Sequence, residues 1–299
     1  MKTFTERDYI TYPRNFKAYR WYKPLLVGFF FIIFLFIFNM SVEYITRTLF
    51  GTIIHESGYD EMDFFTAAGA FRNSALNACY IPSIILAALI VKDRPVSSYF
   101  SSMGGWRWKV FFKTLAIGLL IVAIPNMIYH ALPGHTGEIR FTIGGFIMLT
   151  LFLPLQSMAE ELLYRGYIMQ TTGSWFKIAF IGLIAQILPF MTAHSYNITG
   201  LISVALSALI YGLICVYTRG IESSSALHIL NNLSGVYMAG FGFGSLTSEQ
   251  SVSGVLFNET LKLLFLLFIL YADRKLHWFD ELRYDDITSF NEKTKKKDR

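Results

Sequence analysis

Three short polar clusters stand inside apolar sequence where polarity is costly. The first is Glu160-Glu161-Leu162-Leu163-Tyr164-Arg165, which follows a charge-free run from Phe141 to Ala159. Successive helical residues point about 100° apart, so the two glutamates face different ways. Glu161 and Arg165 are four apart and can pair on one helix face. Glu160 then points elsewhere, with no cation near it in the sequence. A carboxylate in a low-dielectric place holds its proton more tightly, which suits a general base near neutral pH. The second cluster is Phe190-Met191-Thr192-Ala193-His194, with Phe190 and His194 on one face if helical. The third is His228-Ile229-Leu230-Asn231-Asn232, with His228 stacked one turn from Asn232.

Each cluster alone has an ordinary reading: charge at a membrane edge, a histidine packed at an interface, polar glue between helices. Together they offer the parts of a hydrolytic site. A glutamate can take a proton from water while a histidine orients it. A histidine and an asparagine can donate hydrogen bonds to the oxyanion of a tetrahedral intermediate. Glu160, His194 and His228 are also a plausible zinc set, which leaves a metal-assisted form of the same reaction open.

The elements that must carry these clusters are membrane helices. Of 299 residues, 54% are hydrophobic and only 16% charged. Soluble proteins carry roughly a quarter charged residues, so lipid must cover this surface. A crossing needs about 20 apolar residues. Candidate spans run near residues 24–42, 74–91, 110–132, 141–159 and 223–243, with a last one near 254–272 that carries Glu259 and Lys262. The stretch 178–218 has no Asp, Glu, Lys or Arg and divides near residues 194–200 into two more. The expected fold is therefore all-α, a polytopic bundle of about eight transmembrane helices over residues 24–272. A short segment, 1–23, precedes it and a charged tail, 273–299, follows. The first apolar run is too long for a signal peptide and lacks a small-residue cleavage site, so it is expected to remain as a span.

Basic residues alternate with these spans. They crowd residues 1–23, the 92–109 connection and the C-terminal tail, and are sparse in the intervening connections. The positive-inside bias then puts both termini in the cytoplasm. The net charge of +5 is explained by this arrangement and by lipid headgroups, so no nucleic-acid partner is expected. The run Lys295 to Lys297 reads as solvated tail. Cys79 and Cys215 lie in apolar stretches and read as packing residues. His55-Glu56 is not a zinc-protease HExxH motif, because Tyr59 holds the last position. No internal repeat stands out.

Glu160-Glu161-xxx-Arg165, Phe190-xxx-His194 and His228-xxx-Asn232 match in order the three motifs of a known family. The chain resembles the CAAX protease and bacteriocin-processing family of intramembrane endopeptidases (CPBP, also called Abi). The motifs cover about a quarter of the chain, and the eight-span count agrees with the family's helical bundle. The resemblance implies that Glu160 is the general base, acting with His194, that Glu161, Arg165 and Phe190 support the site, and that His228 and Asn232 hold the oxyanion. It implies no cofactor in the favoured mechanism; a zinc-dependent version would use Glu160, His194 and His228. The implied substrate is a membrane-associated peptide or protein, either a prenylated CAAX-type protein or a bacteriocin- or pheromone-type precursor. The compact chain is similar to the prokaryotic branch, which implies a cell-membrane location.

Simple antiparallel packing opposes this site. With turns near Gly173 and Gly220, the depths of Glu160, His194 and His228 would spread over about 20 Å. Convergence requires long, tilted or broken helices, and Pro189 is a candidate break. Two other functions fit the same spans. One is a non-catalytic scaffold or bacteriocin self-immunity protein on the same fold. The other is a transporter with Glu160 as proton relay, though paired halves with interrupted helices are not evident.

Overall fold

A computed structural model describes residues 7–51, 64–134, 137–244 and 246–297. The connection holding His55 and Glu56 lies outside them. The chain is an all-α polytopic membrane protein. Among the described residues the only β pairing is an isolated bridge between Ser101 and Gly220.

Six helices are long and apolar enough to cross a membrane: α1 (Lys23–Phe50), α2 (Ala67–Val91), α3 (Trp108–Ala131), α4 (Ile143–Phe176), α6 (Ile198–Thr218) and α8 (Val252–Leu276). The other two expected spans are present as helices of different kinds. α5 (Ala179–Thr192) has 14 residues, about 21 Å of helix, against a hydrocarbon core of about 30 Å. α7 (Glu222–Gly240) is too polar to face lipid, and 14 of its 19 residues are buried. It packs on α3, α4 and α6, so protein rather than lipid surrounds it. A last helix, α9 (Asp286–Lys297), follows the bundle.

The connections fall on two faces. On the terminal face, Ser102 donates its N–H to the Arg219 carbonyl (2.9 Å) and Ile221 to that of Phe100 (2.9 Å). Arg7 reaches the Ser102 carbonyl at 2.7 Å, and the Arg14 guanidinium that of Ser174 at 2.9 Å. On the far face, Thr142 donates to the Phe65 carbonyl (3.2 Å), Arg140 to Gly240 (2.9 Å) and Asn197 to Ser248 (2.9 Å). The start of α9 packs on the N-terminal segment. Tyr12 donates to Asp286 Oδ1 at 2.6 Å, and Phe16 meets Phe290 edge-on at 5.7 Å. Burial raises both the Tyr12 phenol and the Asp286 carboxyl above their ordinary pKa values. The N- and C-terminal segments thus share one face.

The four helices that start on the far face begin alike. Thr66, Thr142, Asn197 and Ser251 are the N-caps of α2, α4, α6 and α8, and each side chain accepts the N–H of a glycine three residues on. At Gly145 an added Cβ would stand 1.8 Å from the Phe65 carbonyl oxygen, so α4 can seat there only through glycine. The same four helices are each followed by Lys92, Lys177, Arg219 or His277 in the left-handed conformation.

Two irregularities position the clusters. α4 runs on for 34 residues and widens into π-helix over Leu162–Met169, directly after Glu161. Such widened turns gather at functional sites. α5 breaks at Gln186, just beyond Ala185, whose carbonyl the Pro189 ring opposes. A long α4 and a short, broken α5 are what bring the three clusters to one level. The helix ends lie at Phe176 and Thr218. Gly173 is inside α4, where it lets Ile10 and Gly182 approach.

Candidate active site

Glu161 sits at the centre of the polar interior, fully buried. Its Oε1 accepts from Arg165 Nη1 at 3.0 Å and from His228 Nδ1 at 2.9 Å. Arg165 is equally buried and is boxed by aromatic rings. Its guanidinium lies 4.5 Å from the Phe190 ring centre and 5.2 Å from that of Tyr211, and Nη2 reaches the Ala208 carbonyl at 3.4 Å. Removing one partner of such a buried pair strands the other charge, at a cost of about 3–5 kcal/mol.

This fixed pair sets the His228 ring. A carboxylate can only accept, so His228 carries its proton on Nδ1 and directs Nε2 the other way. Tyr211 stacks on the ring, 5.1 Å between centres and 24° between planes, and holds its tilt. Nε2 then stands 3.7 Å from Glu160 Oε2. That gap is too long for a hydrogen bond. An oxygen beside both could touch each at normal distance. Glu160 itself is 7% exposed, and its Oε1 accepts from Gln156 Nε2 at 3.3 Å.

His194 joins the group through Phe190. Its Nδ1 donates to the Phe190 carbonyl at 2.7 Å, one turn back, so Nε2 keeps its lone pair. The two rings are 4.8 Å apart, and Phe190 also meets His228 edge-on at 6.0 Å. Asn232 donates to Ser157 Oγ at 3.2 Å, and its Oδ1 accepts from Asn231 at 3.1 Å. Asn231 in turn accepts from Asn258 Nδ2 at 3.2 Å. This run of amides fixes the Asn232 side chain with its NH2 as the presented group, and its second N–H is left over.

Glu160, His194, His228 and Asn232 all line one cavity of about 840 Å³. Glu161 and Arg165 stand behind its wall. The cavity continues past Tyr211 to a second charged group, which the three motifs do not include. Glu259 and Lys262 of α8 pair at 2.8 Å. Lys262 also donates to Ser207 Oγ at 2.6 Å, and Ser203 donates to Glu259 Oε1 at 2.6 Å. The two charges are visible in the sequence as an interruption of the last span. Their serine partners on α6 are not, because nothing distinguishes Ser203 and Ser207 from other serines there. Gln156 and Ser157 could be found one turn before the two glutamates.

The zinc set needs three ligands around one ion. Among the described residues no three His, Cys, Asp or Glu side chains are grouped to hold one. Glu160 and His228 approach each other, but the donor set does not close, and no step below passes through a metal.

Over 167 residues the chain is 26% identical to the uncharacterized protein YyaK of Bacillus subtilis (strain 168). That match covers 51% of this chain and 55% of that protein, so the chain spans about half the length of the curated relative it matches. No solved structure matches. Residues 140–234, which reach from just before α4 into α7 and hold all three motifs, match the Rce1-like type II CAAX prenyl endopeptidases, and it is to that family that the chain is similar.

Proposed function

We propose that the protein is an intramembrane endopeptidase that cleaves a peptide bond in a membrane-associated peptide or protein. The observation that carries this reading is the opposition of Glu160 Oε2 and His228 Nε2 at 3.7 Å on one cavity wall. Their likeness to a protease family over the same residues supports it.

A water beside Glu160 gives its proton to the carboxylate, with the free Nε2 of His194 as the orienting acceptor. The hydroxide attacks the scissile carbonyl carbon. The oxyanion that forms takes a hydrogen bond from the spare Asn232 N–H, a donor in every charge state. His228 Nε2 can donate as well only when the ring carries both protons, since Nδ1–H is already committed to Glu161. As the C–N bond breaks, Glu160 passes its proton to the leaving amine and returns to carboxylate. Glu161 and Arg165 keep the imidazole in place and take no proton.

The test is cleavage of a prenylated C-terminal peptide and of an unprenylated hydrophobic precursor peptide in proteoliposomes. Glu160→Gln should cut the rate by about 10²–10⁴-fold with an unchanged melting temperature. His194→Ala should also impair it. Full cleavage by both variants would end this reading.

A further inference from the structure

Among the described residues, the cavity extends from the site toward one face. Ile221 to Leu230, at the start of α7, are buried without interruption. Arg107 seals that end, pairing with Glu222 at 2.9 Å and donating to the Thr218 and Phe279 carbonyls. On the other side the cavity continues along α7 past Asn232 and Gly235 to the far-face connections. There Tyr196, Ser248 and Glu249 line its outer end. Among the described residues, none in the terminal-face connections lines it. Along α7, His228 is 12 residues from the far-face end, about 18 Å of helix.

The faces also differ in charge. The far-face stretches 43–72, 132–142, 193–200 and 241–254 contain three of the chain's 26 Lys and Arg residues, namely Arg47, Arg72 and Arg140. They contain seven acidic residues: Glu43, Glu56, Asp60, Glu61, Asp63, Glu138 and Glu249. Arg165 and Lys262 are inside the bundle. Every other Lys and Arg among the described residues lies toward the terminal face, including the three basic residues Lys92, Lys177 and Arg219 that follow α2, α4 and α6. Lys and Arg near span ends stay on the cytoplasmic side, whatever the acidic residues do.

From the one-sided cavity and the one-sided charge together, we infer that the active site receives its substrate from the non-cytoplasmic side of the membrane. This rests on the endopeptidase reading and narrows its substrate. The class it selects is a peptide segment already exported, or anchored in the outer leaflet, with its scissile bond reaching about 18 Å inward along α7. A prenylated protein held at the cytoplasmic leaflet would face the sealed end.

The experiment reads sidedness without needing cleavage. In a chain lacking Cys79 and Cys215, Ser248→Cys places a thiol at the cavity's outer end and Lys275→Cys places one on the terminal face. A membrane-impermeant maleimide applied to intact cells should label Ser248→Cys and leave Lys275→Cys unlabelled until the membrane is permeabilised. A wild-type chain with a C-terminal epitope needs no cysteine change. Its epitope should resist external protease in intact cells and be lost after permeabilisation. The reverse pattern in either assay overturns the inference. Full cleavage by both Glu160→Gln and His194→Ala, alongside the expected labelling, would instead remove the endopeptidase reading and leave the sidedness standing.

Discussion

At the far face, α2, α4, α6 and α8 start on the same local device, a Thr, Asn or Ser side chain closing onto a glycine N–H three residues later. At the terminal face the same helices give way to Lys92, Lys177, Arg219 and His277, all in a backbone conformation that ordinarily favours glycine. A left-handed non-glycine residue costs about 1–2 kcal/mol. Glycine would avoid that cost but could not put a cation at a helix C-terminus, where the carbonyl dipoles favour positive charge. The far face thus adds short local caps to the backbone bonds between its connections, and the cavity reaches it. The terminal face is held by long-range contacts of Arg7, Arg107 and Arg283, which close it. The cavity reaches one end of the bundle, and a buried ion pair closes the other.

The contrast can be broken most severely at Arg107. Arg107→Ala leaves Glu222 buried and unpaired and should cost about 3–5 kcal/mol, read as a lowered unfolding midpoint in detergent. Replacing both partners together, as Arg107→Met with Glu222→Leu, should recover most of it. A loss under about 1 kcal/mol for the single variant would show that this pair is not the seal. Next in size, Asn197→Ala removes one far-face cap and should cost about 1 kcal/mol, because the Gly200 N–H loses its acceptor. No measurable change would deny that the caps hold that face. The smallest effect has the opposite sign. Lys177→Gly relieves a positive φ, about 1–2 kcal/mol. It also makes the unfolded chain more flexible, about 0.5–1 kcal/mol, so the net gain should be about 0.5 kcal/mol. A destabilised Lys177→Gly would mean that the charge matters more than the backbone.

Much of this fold was legible in residue spacing. The apolar runs give six long helices directly, and the i, i+4 relation of Glu161 to Arg165 becomes a 3.0 Å ion pair. The polarity of residues 223–243 was equally plain, yet its meaning was not. A string such as Ser223-Ser224-Ser225 marks a helix walled in by protein, and only packing reveals the walls. The bond from His228 to Glu161 joins residues 67 apart, and no local pattern announces it. The depth conflict among the clusters dissolved because α4 overshoots a bilayer and α5 undershoots it, and neither boundary is set by hydropathy. The far-face caps were written as polar-x-x-Gly at Thr66, Thr142, Asn197 and Ser251. Their unequal spacing hid them from a search for repeats.

The shortness of α5 has a consequence for the lipid itself. Phe180, Ile184 and Leu188 form an exposed stripe along one side of this helix, so acyl chains must line it. Its apolar length falls about 9 Å below that of an ordinary hydrocarbon core. Lipid beside α5 must compress to meet it, at a cost of fractions of a kcal/mol for each ångström. The headgroups on that flank then dip toward His194, which directly follows the helix. A local dimple of this kind shortens the path that water must travel to Glu160, and the membrane's own deformation becomes part of how a buried polar cavity is kept wet.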